Sequence, residues 1–192
     1  MPEFFAPEEP FETPELVLRG YRLGDEALMR DAVVSSYDHL RTFMPWAVEE
    51  QSLDEARALV RQFRGKWLLN QDFVVAIVSV DGSEFLGGCG YHLRNGPLED
   101  HSVEMGMWIR ASRAAQGVGF KAIQALIAWG FSAWPWERLT WRCDSRNHAS
   151  RRIALKAGML DEGTLRQDAS AADGGMRDTD CFGLLKSEWA PA

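Results

Sequence analysis

A layered α/β fold on one mixed, mostly antiparallel sheet is predicted by three features of the sequence. Residues 73–109 read as three consecutive strands joined by turns, the pattern of an antiparallel meander. A short loop then leads to Gln116-Gly117-Val118-Gly119, which opens an apolar helix with Phe120, Ile123, Ile127 and Phe131 at helical spacing. One more strand, a helix and two closing strands follow. The expected order is β-α-α-β-β-β-α-β-α-β-β, with about seven strands and about four helices.

Residues 1–15 form an acidic, Pro-rich arm, and a single domain is expected over 16–189. Leu16 to Gly20 begins the sheet. Asp25 to about Leu40 is expected as one helix ending near the aromatic loop Phe43-Met44-Pro45-Trp46. Ser52 and Glu55 make a capping box, in which each side chain satisfies a backbone N–H of the other, and the helix runs to about Trp67. Phe73 to Val80 is rich in β-branched residues and stops at the hairpin signal Asp81-Gly82. Phe85 to Leu93 returns, Asn95-Gly96-Pro97 turns, and Ser102 to Ile109 completes the meander. Leu139 to Cys143 is a strand. Asp144 or Ser145 is expected to cap a helix from Asn147 to Ala157, which Gly158 stops. Met159 to about Arg166 and Thr179 to Lys186 then pair around an Asp-Gly-Gly segment.

A chain of 192 residues supports one domain with a sizeable core. Eight tryptophans are many for this length, and they are read as core and groove lining. A net charge of −7 argues against a nucleic-acid surface and suits cationic amines or basic polypeptides. Three scattered cysteines without a C-x-x-C pair and four scattered histidines give no zinc pattern. They read as free thiols in a reducing compartment. The N-terminus has acids and prolines where a signal peptide needs basic and then apolar residues. Ala122 to Phe131 is the longest apolar stretch and is too short to span a bilayer. A soluble, cytoplasmic protein with no metal and no nucleic-acid or membrane partner is expected; a homodimer is left open.

The glycine loop carries the functional signal. Gly117 and Gly119 remove the Cβ atoms that would crowd a turning backbone, and the N–H groups at a helix N-terminus attract an anion, most often a phosphate. Gly117-Val118-Gly119-Phe120-Lys121-Ala122 also fits the dinucleotide fingerprint, with Asp144 near the expected acidic position. That fold places the motif in its first βαβ unit, with several parallel strands after it. Here a meander precedes the motif and fewer than fifty residues follow the next strand. A Walker loop is excluded, since no Gly-Lys-Ser/Thr follows at the required spacing.

The ordered set of motifs resembles the GCN5-related N-acetyltransferases (GNAT), and among them the RimJ/RimL-type protein acetyltransferases. Ala114-Ala115-Gln116-Gly117-Val118-Gly119 matches the family's Q/R-x-x-G-x-G/A loop at both glycines and departs from it at Ala114, with Arg113 one residue earlier. Asn147-His148-Ala149-Ser150 leading to Lys156-Ala157-Gly158-Met159 is similar to N-x-x-S…K-x-G-F. Leu18-Arg19, Met44-Pro45-Trp46, Glu104-x-Gly106-x-Trp108, Glu162-Gly163-x-Leu165-Arg166 and Ser187-Glu188-Trp189 extend the resemblance over about residues 14–189.

The resemblance implies a GNAT fold with acetyl-CoA in a wedge between the Glu104–Ile109 and Leu139–Cys143 strands. Pantetheine would pair with the backbone at Trp108 and Ile109, and the pyrophosphate with amides of Gln116, Gly117, Val118, Gly119 and Phe120. Asn147 and Ser150 share a helix face. By resemblance Asn147 would hydrogen-bond pantetheine and Ser150 would donate to the departing CoA sulfur; capping by Asn147 with an exposed Ser150 is the alternative. A neutral amine must attack the thioester, so a base is needed. Glu104 is the candidate. The carboxylate that some RimL-like relatives use falls here on Ala169, beside Asp168. Tyr37, Arg41, Phe43, Met44 and Trp46 would line the acceptor groove. His92 and His101 flank the same sheet region, where they could relay protons, but a lone strand histidine is more often structural and both are read so.

The expected activity is acetyl transfer from acetyl-CoA to a primary amine, a protein N-terminal α-amine or a small-molecule amine. A non-catalytic CoA-binding module is the competing reading. The presence of both Asn147 and Ser150 weighs against that reading.

Overall fold

The computed structural model describes residue 7 and residues 9–190; of the expected arm, residues 1–6 and 8 lie outside the described residues. Among the described residues eight strands form one sheet in the order β1-β2-β3-β4-β5-β6-β8-β7. In chain order they are β1 (Phe11–Glu12), β2 (Val17–Gly20), β3 (Phe73–Val78), β4 (Phe85–His92), β5 (Ser102–Ile109), β6 (Arg138–Asp144), β7 (Leu160–Ser170) and β8 (Met176–Leu185). Five helices accompany them: α1 (Glu26–Val34), α2 (Tyr37–Leu40), α3 (Leu53–Leu68), α4 (Val118–Ala133) and α5 (His148–Lys156). Every neighbouring pair is antiparallel except β5 and β6, which are parallel.

The expected layered α/β order is present, with two additions. Part of the arm is β1, whose Phe11 and Glu12 pair with Leu18 and Val17. The helix expected over Asp25 to Leu40 is split into α1 and α2. The Ser35 and Ser36 N–H groups close onto Asp31 and Val33 carbonyls, which ends α1. The Ser36 hydroxyl accepts from the Ala111 N–H 2.9 Å away, so a long-range contact holds the break. The capping box is as expected: the Ser52 hydroxyl accepts from the Glu55 N–H and the Glu55 carboxylate accepts from the Ser52 N–H.

Strand alternation divides the sheet between two cores. On one face, Phe73, Val75, Tyr91, Val103, Met105 and Trp141 pack with α4 residues such as Ile123, Leu126 and Trp129. On the other, Val17, Ala76, Val78 and Phe85 pack with Met29, Ala32 and Val33 of α1 and Ala56 and Val60 of α3. Most tryptophans serve the first core, where Trp67, Trp129, Trp134 and Trp136 interlock with Phe73 and Tyr91. Trp46 and Trp108 instead meet edge to face at the second face, as groove lining.

Candidate active site

The parallel pair β5–β6 creates the site. Its ladder runs from Ser102↔Arg138 to Met105↔Trp141 and then stops, although β5 continues to Ile109 and β6 to Asp144. The strands diverge there. Gly106 to Ile109 remain paired with β4 on one side, and their other edge is open. An open strand edge offers unpaired N–H and C=O groups to an extended amide-bearing chain. That is the wedge expected to take pantetheine.

A cavity of about 880 Å³ occupies the split. Met105 to Trp108 line it on one side, Trp141 to Asp144 on the other, and Asn147 and Ser150 reach it from α5. Its second half runs over the α1–α3 face, bounded by Phe43 to Trp46, Phe63, Asp72, His92 and Glu104, and by Asp168 to Ser170 of β7. Of the expected acceptor residues, Phe43, Met44 and Trp46 line this space. Tyr37 and Arg41 do not: Arg41 pairs with Asp38 at 3.1 Å and lies over the Tyr37 ring.

Ser150 and Asn147 are held precisely. Asn147, rather than Asp144 or Ser145, is the α5 N-cap: its Oδ1 accepts from the Ser150 N–H at 3.0 Å. A side-chain amide has two further N–H donors, which remain for the cavity. Capping and ligand binding are therefore compatible rather than alternatives. The Ser150 Oγ accepts from the Trp141 Nε1–H at 2.9 Å. An indole N–H donates only, so the hydroxyl proton points elsewhere and is available to a second acceptor. Cys143 shares this space, and burial raises its thiol pKa while the Ser150 hydroxyl opposes that shift.

Ion pairs brace the wedge. The Arg146 guanidinium bonds the buried Asp144 at 2.8 Å and holds its carboxyl below the usual range. Arg151 ties α5 to Asp180 of β8 at 2.8 Å and to Asp161 of β7 at 2.7 Å. Glu104, the expected base, does reach the cavity, with a side chain only 8% exposed. Its carboxylate is already engaged: Arg94 donates at 2.6 Å and Arg142 approaches to 3.8 Å.

The glycine loop forms the N-terminus of α4, beyond the cavity walls. Gly117 is the N-cap at φ 82°, a left-handed conformation that suits glycine, and no side chain caps the helix. The first-turn N–H groups of Val118, Gly119 and Phe120 are left for an anion. A Cβ on Gly119 would stand 3.1 Å from Ile153 Cδ1, so glycine there also lets α4 and α5 approach. Gln116 is turned away, donating to the Ser112 carbonyl at 2.8 Å. Arg113, one residue before the departure at Ala114, is bound to Glu84 at 2.5 Å. Ile109 packs against the α4 core and contributes only backbone to the open edge.

The open edge, the uncapped α4 and the Asn147 and Ser150 side chains fit CoA: a backbone slot for pantetheine, an anion seat for the pyrophosphate and a donor for sulfur. Among the described residues no cluster of His, Cys, Asp and Glu could hold a metal ion, and no helix is long and apolar enough to cross a membrane.

Sequence reasoning did not find the Asp72–His92 pair. The His92 Nδ1 lies 2.7 Å from Asp72 Oδ1, and both residues line the cavity. The available signal was positional: His92 ends β4 opposite Glu104, on the glycine-rich face.

Comparison with known proteins agrees with this geometry. The model of an acetyltransferase (GNAT) domain matches residues 15–160. An uncharacterized N-acetyltransferase of Bacillus licheniformis is 25% identical over 186 residues, covering 95% of this chain and 99% of its own. The ribosomal-protein-serine acetyltransferase of Escherichia coli is 28% identical over 128 residues, 67% of this chain and 69% of its own. In fold, the chain superposes on the RimL ribosomal-protein α-N-acetyltransferase in complex with coenzyme A. The TM-score is 0.83 at 18% identity, over 92% of this chain and 98% of that one. The chain therefore belongs to the GNAT acetyltransferase family and is an N-acetyltransferase with acetyl-CoA as its donor.

Proposed function

We propose that the acceptor is the α-amine at the N-terminus of a polypeptide, of the kind that ribosomal-protein acetyltransferases modify. The observation that carries this reading is the second half of the cavity. It runs over the β4–β5 sheet at Gly88 and Gly106 and is walled by the Phe43–Trp46 loop, Phe63 and Trp108. Gly88 and Gly106 let side chains lie close over this floor: a Cβ at Gly88 would come within 2.5 Å of Trp108 Nε1, and one at Gly106 within 3.1 Å of His92 Nε2. Such a trough accepts an extended chain end-on, with its terminal amine at the β5–β6 split. The relationship to the ribosomal-protein-serine acetyltransferase of Escherichia coli supports the same class.

In this reading acetyl-CoA supplies the acetyl group as a thioester. Asn147 orients the donor through its amide N–H groups, and the open edge of Gly106 to Ile109 aligns it. Ser150, with one lone pair taken by Trp141, gives its hydroxyl proton to the departing sulfur. A backbone N–H of β5 holds the charge that develops on the carbonyl oxygen. Phe43, Met44 and Trp46 hold the residues that follow the acceptor amine, and Glu104 fixes Arg94 and Arg142 at the rim.

The test is turnover of acetyl-CoA, followed by thiol release, with peptides carrying free N-termini, the same peptides N-terminally blocked, and small amines including polyamines. Turnover is expected with free N-termini and lost on blocking. Preferred turnover of small amines would assign the small-molecule class instead, and acetyl-CoA binding without turnover of any amine would leave a CoA-binding module.

A further inference from the structure

We propose that His92, positioned by Asp72, is the group that takes the proton from the acceptor ammonium; this rests on the acetyltransferase reading of the cavity. Four observations carry it. First, Asp72 and His92 are twenty residues apart, yet β3 and β4 bring Asp72 Oδ1 to 2.7 Å from His92 Nδ1. A carboxylate on one ring nitrogen fixes the tautomer and leaves the other as acceptor. Second, among the described residues no hydrogen bond is made to His92 Nε2. Third, that nitrogen stands over the reaction point. A Cβ built on Gly106 would lie 3.1 Å from His92 Nε2, and Gly106 is the first β5 residue after the β5–β6 ladder ends. Fourth, the imidazole is only partly exposed and opens on the cavity shared with Ser150.

Glu104 lies directly across from His92 in the β4–β5 register, so both side chains rise from the same face. It differs in being engaged by Arg94 and Arg142. The charged groups around the imidazole are thus Asp72 ahead of β3, Arg94 after β4, Glu104 on β5 and Arg142 on β6, with Asp168 of β7 on the far wall. Of these only Asp72 bonds the ring.

The proton balance is as follows. His92 Nε2 takes one proton from the ammonium, freeing the lone pair that forms the N–C bond. The C–S bond breaks with its electron pair on sulfur, which takes a proton from the Ser150 hydroxyl. The new amide nitrogen sheds a second proton, which restores that hydroxyl. His92 returns its proton to solvent. The ammonium's two lost protons therefore end one on the thiol and one in water.

The test compares His92→Gln, Asp72→Asn, Gly106→Ala and Glu104→Gln with the unmodified enzyme, reading kcat/KM against pH and the acetyl-CoA affinity by calorimetry. His92→Gln is expected to lose about 10²–10⁴-fold in kcat/KM at neutral pH, to lose the fall in rate at acid pH that one titrating base imposes, and to bind acetyl-CoA as before. Asp72→Asn should lose less, because it frees the ring to turn and exchange tautomers but keeps the imidazole, so that the acid limb persists. Gly106→Ala, which touches neither partner chemically, should slow the rate by crowding the ring. Glu104→Gln should keep the acid limb. A His92→Gln enzyme with an unchanged limb, or a limb that vanishes only in Glu104→Gln, overturns the assignment while the acetyltransferase reading stands. An unmodified enzyme that binds acetyl-CoA but turns over no amine overturns both.

Discussion

Ser150 shows how one side chain acquires a role from its neighbours. A serine in the first turn of a helix usually bonds to backbone or solvent. Here the Trp141 indole N–H occupies one lone pair of its oxygen, so the hydroxyl proton points away from the indole, while Asn147 caps the Ser150 backbone N–H. Ser150→Ala removes the donor but leaves the cap and the open β5 edge in place. The expected outcome is a fall in kcat of about 10²–10⁴-fold with little change in acetyl-CoA affinity, checked by steady-state rates beside calorimetry. A rise in KM with unchanged kcat would mean that Ser150 only binds. Trp141→Phe keeps an aromatic side chain, though a smaller one, and removes the N–H, so it tests whether the indole bond to Ser150 matters: a smaller loss in kcat is expected.

The elements that carry these residues are held by charges as much as by packing. Arg146 bonds Asp144 three ways and also reaches Asp173 at 2.9 Å. Asp144 is buried and its carboxyl is held low by Arg146 first, against the opposing effect of burial. A folded-state value below the unfolded one gives stability that is full above the ordinary aspartate range, near about pH 4, and is lost as pH falls through the lowered value. Asp144→Asn is therefore expected to cost roughly 1–3 kcal/mol at neutral pH, nearer the low end because Arg146 is half in solvent, with the difference shrinking below about pH 4. Denaturant unfolding of both proteins across pH 3 to 8 checks this; a gap independent of pH would point to packing. At this scale the sequence was informative where the signal is local. The Ser52–Glu55 capping box and the bounds of β5 are met residue for residue. What it missed depends on distant partners. The α1–α2 break is held by Ser36 with Ala111, and β1 exists because Phe11 and Glu12 have β2 to pair with. Asn147 reads locally as a cap or a ligand; only the β5–β6 divergence makes it both. The Asp72–His92 pair follows from the β3–β4 register, which hydrophobic periodicity alone does not specify.

For the whole molecule the sheet acts as a partition. Alternation sends Met105 and Met107 toward α4, and Glu104, Gly106 and Trp108 toward the opposite face, where the acceptor trough is proposed. Donor and acceptor therefore meet only where β5 and β6 part, and damage on one side should leave binding on the other intact. Two substitutions separate the halves. Gly117→Val places a β-branched residue at φ 82°, where a Cβ meets no neighbour but the backbone conformation itself is unfavourable by roughly 1–2 kcal/mol. It should distort the α4 anion seat and weaken acetyl-CoA binding by about tenfold or more, with the acceptor KM measured at saturating donor unchanged. Trp46→Ala removes the ring that meets Trp108 at 5.7 Å and should raise the acceptor KM without affecting acetyl-CoA affinity. Because the two sites share no partner, their effects on kcat/KM at limiting donor and acceptor should add to within about 0.5 kcal/mol in the double variant. Strong coupling would mean that acetyl-CoA itself shapes the acceptor trough, so that donor must bind before the peptide; initial-velocity patterns with both substrates varied would then show ordered addition.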